Sequence, residues 1–165
     1  MGRSICSLFF TMAAFAGGCP AMAQSLPTGW RAPNAQQAAS FRHDAITCAN
    51  PKQMLAIRAD FDGDGRKDRA QFLLNFKTGK VALFAVRAET GRYERLGDAD
   101  ELSRLCNYTL VLERPRVFKA LCEGGGACDK RVRARWPAIG LSYAEASYQI
   151  FFWNGRRFQN EFLGD

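Results

Sequence analysis

Asp60, Asp62, Asp64 and Asp68 stand at the first, third, fifth and ninth places of the segment 60–68, with Gly63 and Gly65 at its fourth and sixth places. A hard cation such as Ca²⁺ takes about six to eight oxygen ligands at about 2.3–2.6 Å, so a short loop serves it when every second side chain turns inward. Gly63 and Gly65 can take the positive φ angles of a tight wrap and add no bulk near an ion. Arg66, at the seventh place, would contribute its main-chain carbonyl, a role open to any residue type. Two carboxylates about 5 Å apart repel by about 3 kcal/mol at an effective dielectric near 20. Four of them converging in one loop therefore favour either a bound cation or an open loop. The competing reading is a polar, glycine-rich turn between two strands, its aspartates simply solvated.

Counting from Asp60, the twelfth position is Gln71. An EF-hand requires a bidentate Glu there, and a dockerin repeat also ends in an acid, so neither pattern fits. The segment instead resembles the nine-residue calcium loop of FG-GAP and VCBS-type repeats, which joins two strands of a blade. That resemblance implies side-chain ligands from Asp60, Asp62, Asp64 and Asp68 and a carbonyl ligand from Arg66. The loop occurs once, without a second repeat and without Phe-Gly or Gly-Ala-Pro tags, so a closed propeller is not implied. After Gly29 the chain is similar to small secreted bacterial proteins that carry one such loop, then a hairpin, a Cys-bearing loop and a C-terminal aromatic hairpin. The likeness implies an architecture and no activity.

The elements that would position this loop begin after residue 23. Arg3 is the only charge at the start, Ile5 to Ala16 is an apolar run, and Ala21-Met22-Ala23 precedes Gln24 in the pattern cut by signal peptidase. The run is too short for a permanent membrane span. A signal peptide over 1–23 leaves 24–165 as one exported domain, secreted or periplasmic. Acylation at Cys19 is the alternative, although Pro20 follows it and the usual upstream Leu is missing. Cleavage removes Cys6 and Cys19 and leaves Cys48, Cys106, Cys122 and Cys128, an even set that reads as two disulfides in an oxidising compartment. The Gly-rich stretch 123–127 favours Cys122–Cys128 and leaves Cys48–Cys106. Zinc and redox readings lack CxxC spacing, and the single histidine, His43, has no partner in a recognisable motif and reads as a surface residue.

Lys and Arg number 23 against 16 Asp and Glu, a formal charge of +7. For an exported chain this balance points to anionic envelope polymers or lipids rather than nucleic acid. Arg131, Arg133 and Arg135 alternate with Val132, Ala134 and Trp136, the period of a strand with one wet face.

The rest of the pattern is β. Leu26 to Pro33 reads as an extended arm anchored by Trp30, and Asn34 with Gln37 as a capping box opening a helix over about 34–45. Strands are expected over 55–59, 70–76, 81–86, 92–96, 108–112, 116–121 and 131–136. A last hairpin over 148–162 turns at Asn154-Gly155, with Phe158 and Phe162 on one side. The segment 97–105 reads as a surface stretch. This predicts a mainly β domain, borderline α+β, of about eight antiparallel strands and one N-terminal helix. No nucleophile elbow, phosphate-binding glycine loop or histidine metal motif is present. The function expected is a non-enzymatic, monomeric, calcium-stabilised structural or binding module whose partner is a protein or an anionic envelope polymer. One alternative is an inhibitor or polymer binder using the basic strand 130–136. The other is a carboxylate-dependent hydrolase whose acids would meet only in space.

Overall fold

A computed structural model describes residues 25–34, 37, 55–101, 105, 108–122, 129–143 and 147–163. The expected signal peptide, most of the expected helix, His43, Cys48, Cys106 and Cys128 lie outside these residues. The start of that helix is visible: Asn34 N–H donates to Gln37 Oε1 at 3.2 Å and Gln37 N–H to Asn34 Oδ1 at 2.6 Å, a reciprocal capping box. The protein is mainly β, and among the described residues its antiparallel sheets stay open, forming neither a barrel nor a propeller.

Among the described residues eleven strands form three sheets. In the first, β3 (Asp68–Asn75), β4 (Lys80–Val86) and β5 (Tyr93–Glu101) make a meander. The outer edge of β3 is shared by β1 (Trp30–Arg31), opposite Leu74 and Asn75, and β2 (Ala56–Ala59), opposite Asp68 to Gln71. The second sheet has the order β11-β10-β9-β6, with β6 at Tyr108–Glu113, β9 at Ala138–Tyr143, β10 at Ser147–Trp153 and β11 at Phe158–Leu163. A two-stranded ribbon pairs β7 (Val117–Lys119) with β8 (Arg131–Arg133).

Among the described residues three apolar clusters stack these layers. Ala70, Phe72 and Leu74 of β3 and Leu83 and Ala85 of β4 meet Leu110, Ile139, Phe151, Trp153 and Phe158 of the second sheet in the main core. The far side of the second sheet is covered by the ribbon through Phe118 and Val132, against Ile150 and Phe152. On the far side of the first sheet, Trp30 packs edge-on against Phe84 at 4.9 Å over Leu73 and Ala82. The Pro-punctuated arm is thus an anchored edge strand.

Several sequence expectations need correction. Strand β3 is buried on both faces, Gln71 and Leu73 included, because the arm covers the face turned away from the main core. Phe76 belongs to the following turn and is 58% exposed. Strand β5 runs on to Glu101 where a surface segment was expected, its register shifting beside β4 between Lys80 and Ala82 and between Leu83 and Phe84. Those irregularities hide the alternation that marks a strand. The basic run is a strand only over 131–133, and β9 was missed, since Gly140 and Ser142 interrupt its apolar pattern. The last hairpin turns through four residues, with Trp153 opposite Phe158 and Asn154 Oδ1 accepting from the N–H groups of Arg156 and Arg157. Phe158 is buried in the core whereas Phe162, at the other end of β11, is half exposed.

Candidate metal centre

The aspartate segment is the corner between β2 and β3. Opposite Ala59 in the register stands Asp68, so the ladder closes at the two ends of the loop. Gly63 and Gly65 have φ of 81° and 83°, the left-handed region that the sequence required of them. Within the corner the carboxylates organise the backbone. Asp60 accepts from Gly63 N–H at 2.7 Å through Oδ1 and from Gly65 N–H at 3.0 Å through Oδ2. Asp62 Oδ1 accepts from Asp64 N–H at 3.3 Å, and Asp64 Oδ1 from Arg66 N–H at 2.7 Å. Each of these is a side chain bonding the main chain a few residues on, which bends the loop around its own acids.

Asp68 is different in kind. Its Oδ2 accepts from Phe61 N–H at 2.9 Å and its Oδ1 from Ala88 N–H at 2.7 Å, and the residue is 1% exposed. One carboxylate therefore ties the start of the loop to the turn after β4. Sequence spacing marked Asp68 as a ligand but could not reveal this latch, because Ala88 is distant in the chain and donates through its backbone.

Three of the four expected carboxylates come together: Asp60, Asp62 and Asp68 each present an oxygen, and these oxygens lie within 4.8 Å of one another. Asp64 is exposed and stands outside that trio. Arg66 is exposed, and its N–H is engaged by Asp64. Burial is the main cause that raises the Asp62 and Asp68 carboxyls above their ordinary 3.8. For Asp62, the neighbouring charges of Asp64 and Asp60 push the same way, against the Asp64 N–H and Arg87. For Asp68, the Ala88 and Phe61 N–H groups oppose burial, and the charges of Asp62 and Asp64 add to it. The Asp62 side chain is only 4% exposed, and the one ion pair to it among the described residues is Arg87 Nη1 at 3.7 Å. Arg87 also lies over the Trp153 ring at 4.9 Å. Three ionised carboxylates against one guanidinium leave two negative charges in a half-buried corner. An all-oxygen donor set with that deficit fits a hard divalent cation, Ca²⁺ before Zn²⁺.

The corner is built into the core. Phe61, between Asp60 and Asp62, is fully buried and meets Phe158 of the second sheet at 6.5 Å. Trp136, in the link from β8 to β9, lies against Gly63 so closely that a Cβ there would fall within the indole. Trp136, Arg87 and Trp153 are neighbours of the corner that no local spacing could have identified.

Of the four cysteines expected in disulfides, only Cys122 is described. It is disulfide-bonded, and its partner lies outside the described residues. Compared with protein-family models, curated proteins and solved structures, the chain matches none.

Proposed function

We propose that the protein is an exported, non-enzymatic module in which Ca²⁺, held by Asp60, Asp62 and Asp68 with Asp64 and the Arg66 carbonyl completing the shell, fastens the β2–β3 corner to the second sheet. The observation that carries this reading is the convergence of three acids within 4.8 Å, with a single arginine among the described residues paired to them. Each Asp60 and Asp68 oxygen already accepts one backbone N–H and keeps a further lone pair for an ion. The spacing that resembles FG-GAP and VCBS-type loops supports the same assignment.

The test compares thermal melts of the intact protein and of Asp62→Asn in EDTA and in excess Ca²⁺. A cation bound only by the native state adds about 1.4–2.7 kcal/mol at about 10–100 times its Kd. That increment should raise Tm by several degrees in the intact protein and vanish in the variant. In EDTA the two should melt close together, because the substitution relieves repulsion from Asp60 and Asp64 but also gives up the ion pair with Arg87. Equal melts of the intact protein with and without Ca²⁺ would refute the assignment.

A second reading has its own observation. Pro115, Arg116, Val117, Arg133, Ala134 and Arg135 line a groove of about 470 Å³ on the ribbon. Such a basic cleft suits an anionic envelope polymer, as the alternation at 131–136 suggested. Salt-sensitive retention on an anionic polysaccharide column, weakened by Arg133→Gln, would support it; retention indifferent to ionic strength would not.

A further inference from the structure

The alternation that sends Asp68 into the corner sends its chain neighbours, Lys67 and Arg69, to the other face of the first sheet. There they meet Arg58, which stands directly opposite Arg69 across the β2–β3 ladder, while Val86 flanks Arg69 from β4. These four residues line a small pocket of about 150 Å³. Like charges directly opposite on adjacent strands destabilise a sheet. Among the described residues no carboxylate forms an ion pair with Arg58, Lys67 or Arg69. Arg69 is the telling member. One of its terminal nitrogens reaches Tyr93 Oη at a long 3.4 Å, a hydroxyl that Gln71 Nε2 also approaches at 3.4 Å. Its Nε is buried and has no hydrogen-bond partner. A buried guanidinium donor without an acceptor is costly, and native structures rarely leave one so.

We propose that this pocket binds a small tetrahedral oxyanion group, a phosphate or a sulfate, on Arg69 with Arg58 and Lys67. The pocket is large enough for one such group and too small for a nucleotide or an oligosaccharide. Two guanidinium groups present planar donor forks matched to paired oxygens. Three cations against no acid favour a dianion over a single carboxylate. The group can be free in solution or esterified on a larger molecule, and the chemistry of the pocket is the same for both. The proposal is independent of the metal centre, and its test is run without calcium.

The experiment is calorimetric titration of the full mature chain in EDTA at fixed ionic strength, with inorganic phosphate, sodium sulfate and glycerol 3-phosphate as probes and chloride as the reference. Saturable binding of inorganic phosphate or sulfate is expected if the ligand is free. Binding of glycerol 3-phosphate alone identifies an esterified group. In either case Arg69→Gln should weaken affinity by about tenfold or more, the loss of one charge-assisted contact. Because Arg69 is half-buried, the exposed Lys67→Gln serves as the second variant and should weaken binding severalfold without loss of fold. Arg156→Gln, exposed in the turn between β10 and β11, should leave affinity unchanged. The proposal is overturned if no probe binds, if chloride acts equally, or if Arg156→Gln weakens binding as much as Arg69→Gln.

Discussion

Gly63 and Gly65 share a backbone conformation and differ in surroundings, which makes them a matched pair. An alanine at Gly65 meets open space and suffers only the left-handed strain, about 1–2 kcal/mol. At Gly63 it also collides with Trp136, and overpacking adds about 1–3 kcal/mol. Urea unfolding of Gly63→Ala and Gly65→Ala should therefore show the first as clearly the more damaging; equal losses would mean that Trp136 does not rest on the loop. The acids titrate in a direction that can be worked out. Asp62 and Asp68 have folded values raised above the unfolded 3.8. The native state thus holds their protons more readily, so the metal-free protein has their full contribution below 3.8 and loses it as pH rises through the raised values. Protons compete with Ca²⁺ for the same oxygens, so the Tm increment given by Ca²⁺ should shrink on acidification from about pH 7 towards pH 4. Melts recorded in parallel with EDTA and with Ca²⁺ across that range check this, and an increment independent of pH would contradict it.

At the scale of elements, β3 carries the design. One of its faces supplies Asp68, Ala70, Phe72 and Leu74 to the aspartate corner and the main core, and the other supplies Arg69, Gln71 and Leu73 to the outer side. The sequence made the strand legible, together with the loop glycines, the capping box at Asn34 and the meander through β4. It could not show that both faces of β3 are covered, because the covering residue, Trp30, comes from far away in the chain. Trp30→Ala should therefore uncover Phe84 and Leu73 and cost about 2–3 kcal/mol, more than truncation of an ordinary exposed arm residue. Denaturant unfolding with Leu26→Ala as the control measures it. The candidate site was legible as spacing: four acids, of which three converge. Its latch to Ala88, its counter-charge from Arg87 and its lid from Trp136 were not, since a turn, a strand end and a link meet there only after folding. β9 and the extension of β5 were lost for a related reason: Gly140 and the register shifts break the local pattern while neighbouring strands supply the pairing.

For the molecule as a whole, the corner matters because two sheets meet at it. Phe61 reaches from the loop into the inter-sheet core, Trp136 and Trp153 come from the opposite side, and Arg87 bridges an acid and an indole. An ion at Asp60, Asp62 and Asp68 would thus stabilise the packing of one sheet on the other and not merely a surface turn. Phe61→Ala should cost about 3–5 kcal/mol by cavity formation. By loosening the loop's footing it should also lower the gain in Tm from Ca²⁺; an undiminished gain would separate the loop from the core. The two polar features, the aspartate corner and a cluster of arginines and lysine, sit back to back through residues 67–69. The most direct test of the metal centre uses the indole lying against Gly63. Terbium, a calcium surrogate for oxygen sites, should emit when the tryptophans are excited, saturate at one ion per chain and be displaced by Ca²⁺. It should lose most of its signal in Trp136→Phe and all of its saturable binding in Asp60→Asn combined with Asp62→Asn. Emission that is absent, or that survives the double substitution unchanged, would contradict an ion at this corner.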